Sequence, residues 1–75
     1  MYKVNEENVE ILTRIKATAY SQLLGLSTTV LSLLFNGKTT TKLSTAKAII
    51  SVAYNISVTD GKMDELLEKH FEKIN

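Results

Sequence analysis

Five short polar side chains, Ser27, Thr28, Thr29, Ser32 and Asn36, fall within ten residues at spacings that a single helix gathers toward one side. Hydroxyls and a carboxamide both donate and accept hydrogen bonds, which is the chemistry needed at a base-pair edge or a phosphate oxygen. Two cations, Lys38 and Lys42, follow at once. A lysine ammonium serves a phosphate as a point charge. No comparable set points to catalysis or to a metal. The single histidine, His70, has no cysteine to join it and no carboxylate at the spacing a zinc site requires. Asp64, Glu65 and Glu68 read as a solvated helix face paired with Lys62 and Lys69. The expectation is a protein with no enzymatic activity, no cofactor and no metal, its His70 lying at the surface or half-buried on the last helix.

A polar face of this kind needs apolar anchors behind it. Gly25 opens a three-residue turn, and Leu31 and Leu34 follow it by six and nine residues. Two short helices joined in this way form a helix-turn-helix, here over residues 17 to 37. The first of the pair spans Ala17 to Leu24 and stops at Gly25, which takes a left-handed conformation without a Cβ penalty. Ser27 caps the second, which runs from Thr28 to Phe35 and ends at the Asn36–Gly37 pair.

Three further helices complete the reading, because proline is absent and apolar residues recur at three- and four-residue spacing through most of the chain. One begins at Asn5, carries Glu6 and Glu7 in its first turn and Val9, Leu12 and Ile15 on its inner face, and ends near Lys16. Another runs from about Lys42 to Tyr54 with Leu43, Ala46, Ile50 and Ala53 on one stripe. The last, from about Asp60 to Ile74, buries Met63, Leu66 or Leu67, and Phe71. Phe71 and Ile74 are either core or part of a two-fold contact between copies. The Thr39–Thr41 run reads as a solvated connection that caps the fourth helix. The expected fold class is therefore all-α, a compact five-helix domain spanning residues 1 to 75 around one core.

Composition sets the partners this domain can take. Arg14, Lys16, Lys38, Lys42 and Lys47 are the only charged residues between Ile11 and Thr59, and every Asp and Glu lies outside that segment. A polyanion prefers the basic middle, although the formal net charge is only +1. The longest apolar stretch, Val30 to Phe35, is far short of the roughly 20 residues a membrane span requires, so no membrane partner is expected. The absence of cysteine is compatible with a cytoplasmic protein.

The stretch from Ser21 to Gly37, Ser-Gln-Leu-Leu-Gly-Leu-Ser-Thr-Thr-Val-Leu-Ser-Leu-Leu-Phe-Asn-Gly, resembles the lambda repressor and Cro superfamily of phage regulators. Ser21 departs from the alanine usual at the helix crossing but is small enough to fit there. The resemblance implies a lambda-repressor-like, sequence-specific DNA-binding regulator that inserts its 28–36 helix into the major groove of double-stranded DNA, as a homodimer or cooperatively. It assigns Thr28, Thr29, Ser32 and Asn36 to base edges and Ser27 to a phosphate. Lys38 and Lys42 then hold the DNA backbone without reading sequence. Two departures keep a second reading open. The recognition face has no Arg, Gln or Lys for bidentate base contacts, and it carries the apolar Leu33 with Val30 near it. Leu33 either touches thymine methyls or anchors a protein contact, and the latter would make the chain an antirepressor that docks on a partner repressor.

Overall fold

The computed structural model describes residues 1–74. Its elements, in chain order, are β1 (Tyr2–Val4), a 3₁₀ turn (Glu6–Asn8), α1 (Val9–Thr13), α2 (Ala17–Leu24), α3 (Thr28–Phe35), α4 (Leu43–Tyr54), α5 (Met63–His70) and β2 (Phe71–Lys73). The described residues are mostly helical, with the five helices expected, and a small two-stranded antiparallel sheet adds to the all-α expectation.

Local chemistry explains several helix ends. The Asn5 side chain accepts from the Glu7 N–H and starts the 3₁₀ turn. Gly25 sits at φ 70°, where its N–H reaches the Ser21 carbonyl and closes α2. Ser27 Oγ accepts from the Val30 N–H at 3.1 Å and opens α3. At the far end, Gly37 at φ 68° donates to the Leu34 carbonyl and Lys38 donates to that of Leu33. Those two bonds are the paired closure of a Schellman motif. Asn55, at φ 54°, ends α4 and is the one non-glycine residue at positive φ among those described. Its short amide side chain makes it one of the few residue types that tolerate this region.

The core forms where these helices converge. Leu12 from α1, Tyr20 from α2, Leu31 and Leu34 from α3, Ile49 and Ile50 from α4 and Leu67 from α5 are all buried. The Tyr20 ring packs on Phe35 with centroids 5.4 Å apart. Its hydroxyl donates to the Leu12 carbonyl at 2.6 Å, joining α1 to α2. Burial raises the Tyr20 pKa to about 12, so the phenol stays a donor.

The ends of the chain depart furthest from expectation. The first helix does not run unbroken to Lys16, because the 3₁₀ turn precedes it and α1 ends at Thr13. The last starts at Met63 and stops at His70, where the chain straightens and β2 pairs with β1 in the register Tyr2↔Lys73, Lys3↔Glu72 and Val4↔Phe71. Phe71 is accordingly core and Ile74 exposed. Tyr2 also exchanges both backbone hydrogen bonds with Thr41, at 2.7 and 2.8 Å, so β1 is paired on both edges. The threonine run therefore docks on β1 through its backbone, and α4 begins at Lys42 with no side-chain cap. Within α4 the buried stripe is Ala46, Ile49 and Ile50, whereas Leu43 is exposed.

His70 is fully buried, against the expectation of a surface or half-buried site. Its Nδ1–H donates to the Asn8 carbonyl at 2.9 Å, and its Nε2 accepts from the Tyr54 hydroxyl. Both nitrogens of a neutral ring are thereby satisfied. Asn5 and Asn8 complete the junction by donating side-chain amides to the Lys69 carbonyl at the end of α5.

Candidate nucleic-acid interface

Between α2 and α3 the chain direction turns by 119° across Gly25, Leu26 and Ser27. The bend has a simple cause. Gly25 reverses the backbone at positive φ, and Ser27 restarts the helix with its own hydroxyl. With 100° between successive residues, burial of Leu31 and Leu34 fixes the rotation of α3 and turns Thr29, Ser32, Leu33 and Asn36 outward. Thr28 and Val30 flank that face.

All eight residues singled out from the sequence are exposed: Ser27, Thr28, Thr29, Ser32, Leu33, Asn36, Lys38 and Lys42. Six of them lie on α3 or its caps. Lys38 follows the Schellman closure, and Lys42 lies just beyond the Thr41 bridge, so β1 holds the loop that carries both cations. Gly37 lies against the N-terminal segment as well. A Cβ there would run into the Glu6 carboxylate and approach the Lys3 side chain.

Hydrogen bonding already engages part of the polar face. The Asn36 Nδ2 donates to the Ser32 carbonyl at 2.8 Å, which secures the last turn of α3. The amide's second N–H and its Oδ1 stay available for a base edge. Ser27 Oγ accepts from Val30, while Thr28 and Thr29 N–H have no partner among the described residues.

The other cations are less well placed. Arg14 pairs with Glu10 at 3.9 Å between two largely solvated side chains, a contact of little energetic weight. Lys47 is half-buried on α4 and Lys16 is exposed just ahead of α2. The expected pairing of Asp64, Glu65 and Glu68 with Lys62 and Lys69 is not formed, because the Arg14–Glu10 contact is the only ion pair among the described residues.

Three exposed apolar side chains lie on the same helix pair: Leu23 at 67% and Val30 and Leu33 at 44% each. Leu23 escaped the sequence reading. Its signal was the α2 spacing, where Tyr20 faces the core and Leu24 lies four residues on, half-buried, leaving Leu23 outside their shared face. Among the described residues no group of three His, Cys, Asp or Glu side chains is positioned to hold a metal. Among the same residues no single helix is long and apolar enough to cross a membrane.

Compared with family models, curated proteins and solved structures, the chain matches none.

Proposed function

We propose that α2, the Gly25–Ser27 turn and α3 form a DNA-binding helix-turn-helix on a lambda-repressor-like domain, with α3 as the recognition helix. The particular protein we read from this is a cytoplasmic regulator of phage or prophage type, Cro-like or repressor-like, that occupies operator DNA without catalysis. The observation that carries the reading is the coincidence of a 119° bend, buried anchors at Leu31 and Leu34, and an exposed polar face followed by two exposed lysines. Thr28, Thr29 and Ser32 supply short donors and acceptors to the major groove, and Asn36 joins them through its second N–H and its Oδ1. Ser27 and the free N–H groups of the first α3 turn meet a phosphate, while Lys38 and Lys42 fix register on the backbone. A homodimer suits a two-fold operator. Titration into DNA from the gene's own flanking region and into random duplex, at two salt concentrations, tests the reading. The expected result is preferential binding to the flanking DNA, with log K falling against log salt at a slope of about −3 to −4.5, reflecting roughly three to five phosphates. Folded protein that binds neither duplex at micromolar concentration refutes it.

One observation favours a second reading. The exposed Leu23, Val30 and Leu33, with no Arg, Gln or Lys on α3 itself, suit a protein surface as well as a groove. In that case the chain is an antirepressor or modulator whose helix-turn-helix face covers a partner repressor, and its output is still transcriptional. Leu33→Asp then abolishes the complex with the repressor. An unchanged complex rules the docking reading out.

A further inference from the structure

We infer that, where α3 occupies a major groove, Leu33 selects thymine by its C5-methyl group, so the preferred sites are T·A-rich beneath the centre of the helix. This deepens the DNA reading above and rests on it. The outward rotation of α3 places Leu33 between Thr29 and Asn36, with Val30 on the flank. Leu33 and Val30 are each 44% exposed although they belong to the element that supplies two of the deepest core residues. A groove-facing leucine has no donor or acceptor to offer. Against a G·C pair it would cover guanine O6 and N7 or the cytosine amino group and leave them unpaired, which is the costly outcome for a buried polar group. Against thymine it meets the one apolar group that the major groove presents. Thr29 brings a second methyl to the same face, while the Asn36 amide keeps one N–H on the Ser32 carbonyl.

Charge selects the polyanion that brings such a groove to this face. Five cations and no carboxylate lie between residues 11 and 59, and the exposed Lys38 and Lys42 flank the end of α3. An occupant that combines phosphates with methyl groups on a groove floor is duplex DNA containing thymine.

The experiment selects bound duplexes from a random pool with the intact protein. It then compares the selected sequence with the same sequence carrying deoxyuridine for each thymine in turn. Deoxyuridine keeps every hydrogen bond and removes only the methyl. The expected result is about a fourfold loss of affinity for each methyl that Leu33 buries. Leu33→Ala, a change at an exposed site, is expected to bind the thymine and uracil duplexes alike. Selection of a definite sequence that is bound equally with thymine and uracil overturns the methyl readout and leaves the DNA reading standing. Recovery of no duplex at all overturns both, and directs Leu33 to a protein partner.

Discussion

Substituting alanine in turn at the three glycines separates what each one does for the fold. Gly25 and Gly37 sit at φ 70° and 68°, while Gly61 lies outside the left-handed region. Alanine in the left-handed region costs roughly 1–2 kcal/mol. Loss of glycine's freedom in the unfolded chain returns about 0.4–1 kcal/mol wherever the substitution is made. Gly25 has open space where a Cβ would stand, so Gly25→Ala isolates the backbone term, a net loss of about 1 kcal/mol. Gly37→Ala would meet the ends of the Glu6 and Lys3 side chains. Those ends are flexible and swing aside, so the same net loss of about 1 kcal/mol is expected there. Gly61 has no neighbour within 4 Å and no positive φ, so Gly61→Ala should stabilise by about 0.4–1 kcal/mol. Urea unfolding at constant m-value reads all three, and a change of 1 kcal/mol moves Tm by about 4–8 °C in a domain of this size. The reasoning fails at Gly37 if its alanine variant loses more than about 2 kcal/mol. That outcome would show Glu6 and Lys3 locked in place at the end of α3. Rescue by Glu6→Ala in the double variant would then identify the carboxylate as the obstacle.

Three other perturbations probe the junctions. Tyr20→Phe keeps the ring against Phe35 but leaves the Leu12 carbonyl without its donor, and should cost about 1–3 kcal/mol by chemical unfolding. An unchanged midpoint would show that the bond contributes nothing. Burial holds the His70 pKa below its ordinary 6.5; the Asn8 carbonyl opposes this and the charge of Lys69 reinforces it. The unfolded chain therefore binds a proton that the fold excludes, so stability is complete above about pH 6.5 and declines as pH falls toward the folded-state value. A pH series of unfolding midpoints that His70→Gln does not flatten would contradict this. Lys38→Ala should weaken binding to operator and random DNA equally and reduce the salt slope by about 1, whereas loss confined to one sequence would make Lys38 a base reader.

Where the amino-acid sequence was legible, the reason was local. Gly25, Ser27 and the Asn36–Gly37 pair are caps that act within five residues, and each closes or opens a helix at the expected place. The burial of Leu31 and Leu34 follows from helical spacing, and so does the exposure of Thr28, Thr29, Ser32 and Leu33. What went unread depends on distant partners. Phe-Glu-Lys at 71–73 carries no breaker to end a helix, and it becomes a strand only because Tyr2–Val4 lies alongside. His70 is buried by an acceptor 62 residues away. Leu43 satisfied the helical period of α4, but Ile49 took the inward position because the neighbours of α4 cover a different face.

Pairing of β1 on both edges orders events in time. Its partners are Thr41 on one side and residues 71–73 on the other, so its contacts close loops of about 40 and 70 residues. The α2–α3 and α4–α5 pairs close only short loops and are free to assemble first. β1 therefore docks late and is the element to detach first in local opening, releasing the Thr41 bridge and the Phe71–Lys73 strand together. Amide exchange at Thr41 and at Ile74, whose N–H groups are held by Tyr2 and Met1, should then proceed at one shared rate. The loop bearing Lys38 and Lys42 would lose its Thr41 anchor each time β1 leaves.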